Sequence, residues 1–183
     1  MNLSQWLHQN WESIRNKFRF RVKNNKESLL FLLFFSLYSI IFFSIYFIIQ
    51  DHLTGLLAVT AYISGSIAQL LGMPVNIEGV NILSSTMTFE IIHECTGIFA
   101  MIITVSSILA YPAERKQKIS GIIFVIPFIY LLNLIRLEVL FYVGIYHNDL
   151  FDLVHSYLWQ GTFIIFIILA WFLWIEQVVS RER

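Results

Sequence analysis

Cys95 is the one thiol in the chain, set in His93-Glu94-Cys95-Thr96-Gly97-Ile98. A polar segment precedes it and an apolar run follows, so the thiol stands where a helix is expected to begin. A helix N-terminus lowers a thiol pKa and offers free N–H groups to an oxyanion. Thr96 or Glu94 is placed to cap that end. Arg136 lies inside a second apolar run, in Asn133-Leu134-Ile135-Arg136. An Arg within an apolar span costs from about 3 to more than 10 kcal/mol and normally faces a polar cavity or a partner. Asn133, three residues earlier, shares its helix face. His155 opens a third apolar run, in Leu153-Val154-His155-Ser156. A thiol nucleophile, a general acid/base and a guanidinium for an oxyanion are the parts of acyl transfer through a thioester.

Each residue also has a bland reading. A free Cys usually serves as a small buried hydrophobe. Arg136 can snorkel to the outer interface and pair with Glu138, Glu90 or Glu94. His155 can be an interfacial residue beside Tyr157 and Trp159 in an aromatic belt. His93 is a rival base, but two residues from Cys95 it should point away. His52 and His147 read as surface residues. His93, Glu90, Glu94 and His155 form no HExxH or similar spacing, so no metal and no cofactor is expected. A single Cys excludes an intramolecular disulfide, a CxxC redox pair and a four-Cys zinc site.

The elements that must hold these side chains are apolar. Hydrophobic residues make up 57% of the 183 and charged residues 13%, too few charges to coat a water-facing sphere. Lipid must solvate much of the chain, and zero formal net charge argues against nucleic acid as a partner. The expected spans are Leu29–Ile49, Ile92–Tyr111, Ile119–Val143 and Ser156–Ile175, each near the 20 residues that cross a ~30 Å core. Six basic residues lie between Arg15 and Lys26, three at Arg115, Lys116 and Lys118, and two at Arg181 and Arg183; Arg136 is the twelfth. The positive-inside rule makes those three patches cytoplasmic. Segments 50–91 and 144–155 carry acidic residues without Lys or Arg and should face outward.

Parity then leaves no room for a full crossing by Leu53–Gly72, which is expected as an outer-leaflet amphipathic helix with Leu53, Leu56, Leu57, Thr60, Ile63, Ile67, Leu70 and Leu71 on one face. Five spans with an external N-terminus is the competing topology. Residues 73–91 suit a short external hairpin. Residues 1–28, with Trp6, Leu7, Trp11, Ile14, Phe18 and the basic run, read as a cytoplasmic amphipathic arm. The expectation is an all-α integral membrane protein with a membrane domain at 29–175 and a cytoplasmic tail at 176–183. Counting 20 residues along each span puts Cys95, Arg136 and His155 at one outer level.

At Glu94-Cys95-Thr96-Gly97-Ile98, Asn133-Leu134-Ile135-Arg136 and His155, the sequence resembles the exosortase/archaeosortase family of integral-membrane cysteine transpeptidases. The resemblance covers roughly residues 29–175. The family's usual Cys-Ser-Gly stands here as Cys-Thr-Gly, which keeps the hydroxyl; the third position, Arg or His, is the bacterial-type His155. The chain resembles a minimal core of the family. The resemblance implies a membrane-anchored substrate whose C-terminus carries a motif, a transmembrane helix and a basic cluster. Cleavage falls on the outer face of the plasma (cell inner) membrane, with transfer to a lipid- or glycan-linked acceptor. It implies Cys95, Arg136 and His155 as catalytic residues, with Asn133, Thr96, Gly97 and Glu94 around them. Two readings stand outside this class. One is a non-catalytic membrane scaffold in which Arg136 pairs with a partner helix. The other is half of a transporter, which predicts a polar stripe along a whole span, whereas the polar residues here gather at one end.

Overall fold

The computed structural model describes residues 25–176. The amphipathic arm expected over 1–28 and the tail expected over 176–183 lie almost wholly outside the described residues. The described chain is mostly helical. Two helices, Lys26–His52 and Arg115–Tyr146, are long and apolar enough to cross a membrane, and Thr54–Leu70, Ile98–Ala110 and Ile164–Trp174 are shorter apolar helices.

Helix α1 (Asn25–Ile49) contains no Gly or Pro and buries little of itself inside the protein. Aromatic rings fasten it: Phe31 to Trp171, Phe43 to Phe99, and Tyr46 to Phe99 at 5.2 Å between centroids. Helix α2 (Thr54–Leu70) follows a 3-10 turn over Gln50–His52. Then come β1 (Val75–Glu78), β2 (Asn81–Ser84) and β3 (Thr88–Glu90). A 3-10 turn over His93–Thr96 leads into α3 (Ile98–Ala110). Pro112 follows the end of α3, and α4 (Arg115–Tyr146) starts in a reciprocal capping box between Glu114 and Gln117. A π-helical segment, Val154–Leu158, precedes α5 (Trp159–Trp174). Helix α1 packs along α3, α3 along α4, and α5 against both α3 and α4.

The segment read as a hairpin is a three-stranded antiparallel meander in the order β1-β2-β3. Its register pairs Ile77 with Ile82 and Ile82 with Phe89. The apolar residues that alternate toward the protein continue past the second strand into Phe89, and this supplies the extra strand. Helix α2 packs on β1, β2, the 93–96 turn and α4.

Of the α2 face expected to lie in the outer leaflet, Leu57 and Thr60 pack on the protein and Leu70 and Leu71 are exposed. The buried residues of the helix are Leu57, Thr60, Ala61, Ser64, Gly65 and Ala68, while Val59, Tyr62, Leu70 and Leu71 are exposed. Small side chains let the helix sit close to the sheet; a Cβ on Gly65 would lie 2.6 Å from Ile77 Cγ1. Large apolar residues outside and small ones at the contact suit a hydrocarbon surrounding.

Two apolar cores result. One joins Ala61, Ile82, Phe89, Ile91, Leu137 and Phe141 at the sheet end. The other joins Ala100, Ile108, Val125, Ile129 and Trp174. Asn133 lies on α4 between Ile129 of one core and Leu137 of the other, and it is fully buried.

Candidate active site

The turn that carries Cys95 is closed by its own backbone and by Thr96. The Cys95 N–H donates to the Ile92 carbonyl at 2.9 Å. The Thr96 hydroxyl donates to the His93 carbonyl at 2.7 Å and accepts from the Ile98 N–H at 3.4 Å. A hydroxyl is what the position needs, so Thr replaces Ser without loss of that bond. Gly97 then takes φ +75° and serves as N-cap of α3. A Cβ there would meet Asn133 Cβ at 3.3 Å, so Gly97 both reverses the chain and lets α4 come close.

Helix α4 uses that approach. Asn133 Nδ2 donates to the Cys95 carbonyl, and Arg136 Nη1 donates to the Glu94 carbonyl at 3.5 Å. Both bonds join residues about forty positions apart in sequence. Three residues on a helix put the amide and the guanidinium on one face, and that face grips the cysteine turn by its backbone. Asn133 Oδ1 and Arg136 Nε are buried and make no hydrogen bond. The site therefore keeps one acceptor and one charged donor unused.

Arg136 makes no ion pair among the described residues. Both Glu138 carboxylate oxygens are buried without a hydrogen bond, and the contact with Glu94 is to its carbonyl oxygen. The counter-ion reading of Arg136 is thus unsupported for Glu138 and Glu94. The helix begins later than expected, at Ile98, because Gly97 interrupts the path. Cys95 consequently lies in the turn outside α3. There burial pushes its thiol above the ordinary range, with smaller downward pulls from the Ile92 backbone and then Arg136 and an upward one from Glu94. Cys95 also packs against the sheet-end core.

His155 is exposed in the π-helical segment and stacks on Phe151, with centroids 5.5 Å apart and planes at 6°. Among the described residues it makes no hydrogen bond to Cys95, Asn133 or Arg136. The structure brings together Cys95, Thr96, Gly97, Asn133, Arg136 and the Glu94 backbone through these contacts, and gives His155 its ring contact with Phe151. His93 turns toward Tyr46, ring edge to face at 5.7 Å, with Nδ1 buried and unbonded. Tyr46 is 3% exposed and is the neighbour that sequence reasoning missed. Its one signal was a phenol in a largely apolar run that also holds Tyr38 and three Ser. Among the described residues no three His, Cys, Asp or Glu side chains cluster as metal ligands would.

These features define a helical membrane protein with a thiol, an amide and a guanidinium gathered at one helix junction. Residues 25–175 match the transmembrane exosortase family (Exosortase_EpsH), and the chain belongs to that family. No curated protein and no solved structure gives a significant match.

Proposed function

We propose that this protein is a membrane cysteine transpeptidase that cleaves C-terminal sorting tails on the outer face of the plasma (cell inner) membrane. The catalytic unit is residues 29–175, flanked by the cytoplasmic arm 1–28 and tail 176–183. Helices α1, α3, α4 and α5 make four crossings, with α2 in the outer leaflet and the meander outside. The observation that carries the reading is the double grip of Asn133 and Arg136 on the Cys95 turn, with a charged donor left unused beside the only thiol.

The chemistry follows from those atoms. His155 takes the proton of the Cys95 thiol, the thiolate attacks the scissile carbonyl, and the resulting oxyanion takes hydrogen bonds from the Arg136 guanidinium. Collapse forms a thioester and expels the tail's amine, which takes its proton from His155. A nucleophile on a lipid- or glycan-linked acceptor then displaces Cys95, giving its proton to His155 and restoring the thiolate. His155 reaches the site by leaving its stack on Phe151; π-helical segments recur at functional sites.

A non-catalytic scaffold draws support from one observation: a thiol pushed up by burial is an inert one. Co-expression with a tailed membrane protein decides. Wild type should shorten it by the mass of its tail and Cys95→Ala should leave it intact. Equal processing by both would make the scaffold the better reading.

A further inference from the structure

The cysteine turn is the direct continuation of a strand with an open side. Strand β3 is the edge of its sheet, and the backbone of Thr88 and Glu90 makes no hydrogen bond to any described element outside that sheet. The pairing fixes which backbone groups point where. The Ile91 N–H donates to the Val80 carbonyl, and the Ser84 N–H to the Met87 carbonyl; Phe89 lies opposite Ile82 between them. Antiparallel pairs alternate between hydrogen-bonded and non-bonded. Met87, Phe89 and Ile91 therefore face β2, and the N–H and C=O groups of Thr88 and Glu90 face the open edge. The side chains of Thr88 and Glu90 are exposed, while Phe89 is buried. Cys95 follows Glu90 by five residues.

We propose that the open edge of β3 binds the extended segment of the tailed substrate by strand addition and delivers its scissile bond to Cys95. This rests on the transpeptidase reading and names how its substrate is held. Main-chain hydrogen bonds would give the affinity, as in other cases of strand addition. The polarity of the chain selects the orientation. Strand β3 runs toward the Cys95 turn, and α3 runs on from it as an apolar helix. A substrate passes in the same order from an extended motif to a transmembrane helix. Parallel pairing therefore sets its motif beside Thr88 and Glu90, its scissile bond beside Cys95, and its helix beside α3. Antiparallel pairing would carry the helix away from the thiol.

Proline tests the edge. At Thr88 or Glu90 it removes an outward N–H that the sheet does not use, a position where strands tolerate it. With a tailed reporter that wild type cleaves, Thr88→Pro and Glu90→Pro should each lower processing by about tenfold or more, the size of one lost main-chain bond plus the ring's bulk. Iodoacetamide should alkylate Cys95 in both variants at the wild-type rate, showing that the turn is intact. Hydrogen exchange gives the second reading. In the purified protein alone the Thr88 and Glu90 amides should exchange fast and those of Phe89 and Ile91 slowly. The reporter mixed with Cys95→Ala protein should slow the first pair. Undiminished processing by both proline variants would overturn the proposal. So would amides at 88 and 90 already protected in the protein alone, as pairing with a second copy of the chain would produce. If Cys95→Ala cleaves the reporter as wild type does, the transpeptidase reading fails instead, whatever the edge does.

Discussion

Gly97 bears the strictest demand of any single position near the thiol. Its φ of +75° penalises any side chain, and a Cβ would press on Asn133 at 3.3 Å. Gly97→Ala should destabilise by about 1–2 kcal/mol from backbone strain alone. It should also loosen the Asn133 bond to the Cys95 carbonyl, and both effects are readable as a lower melting temperature with reduced processing. The thiol itself makes a pH prediction. Burial holds its pKa above the ordinary range, so the neutral form persists to higher pH. Iodoacetamide alkylation should climb with pH and reach half its plateau above the ~8.5 of free cysteine. Arg136 is one of the groups pulling that pKa down, so Arg136→Gln should move the midpoint further up and slow alkylation at pH 8. Arg136→Lys keeps the charge and loses the planar fork. If the guanidinium holds an oxyanion, Lys should cost a factor of about 10² to 10³ in processing at unchanged protein level. Near-wild-type processing would reduce Arg136 to a structural cation.

Helix α2 is held by closeness rather than by large side chains, and one substitution exposes this. Gly65→Leu must displace Ile77, whose Cγ1 already lies 2.6 Å from an added Cβ. Overpacking of this kind typically costs about 1–3 kcal/mol. Because α2 also rests on the 93–96 turn, Cys95 should become faster to alkylate as that support shifts. The sequence carried the positions of α1, α4 and the turn residues legibly: long apolar runs, a Pro after α3, and the Cys-Thr-Gly and Asn133/Arg136 spacings. At α2 it showed the apolar face but not the contact with the protein: Leu70 and Leu71 of that face are exposed, while Ala61, Ser64, Gly65 and Ala68 pack inward. The later start of α3 was hidden for a local reason, since only a positive φ at Gly97 separates a 3-10 turn from a continuous helix. The bond from Asn133 to the Cys95 carbonyl joins residues 38 apart, and no periodicity within either segment reports it.

Exposed apolar surface runs the length of the molecule, including Leu29, Ile48, Tyr62, Leu70, Ile123 and Ile164, and a lipid surround is its physical counterpart. The orientation expected in that surround rests on charge. The 112–118 loop carries Arg115, Lys116 and Lys118, while 50–91 and 144–155 carry acidic residues and no Lys or Arg. Basic loops stay on the cytoplasmic side. If so, the meander, the Cys95 turn and the 148–153 segment all lie outside, and one outward compartment holds every part of the site. Introduced cysteines in a Cys95→Ala background test this with a membrane-impermeant maleimide on intact cells. Asn76, Lys116 and Asn148 are exposed in the fold, so burial will not mask the result. Asn76→Cys and Asn148→Cys should label from outside, and Lys116→Cys only after the membrane is permeabilised. A fifth crossing, by α2, changes the pattern: Asn76 and Lys116 would keep their opposite sides, but one of the two inter-span segments at 50–53 and 73–91 would move inward. Adding Asp51→Cys, also exposed, separates the cases. Labelling of both Asp51 and Asn76 from outside keeps α2 on the outer face. Labelling of Asn76 alone makes it a span and puts the N-terminus outside, because α1 would then cross in the opposite direction.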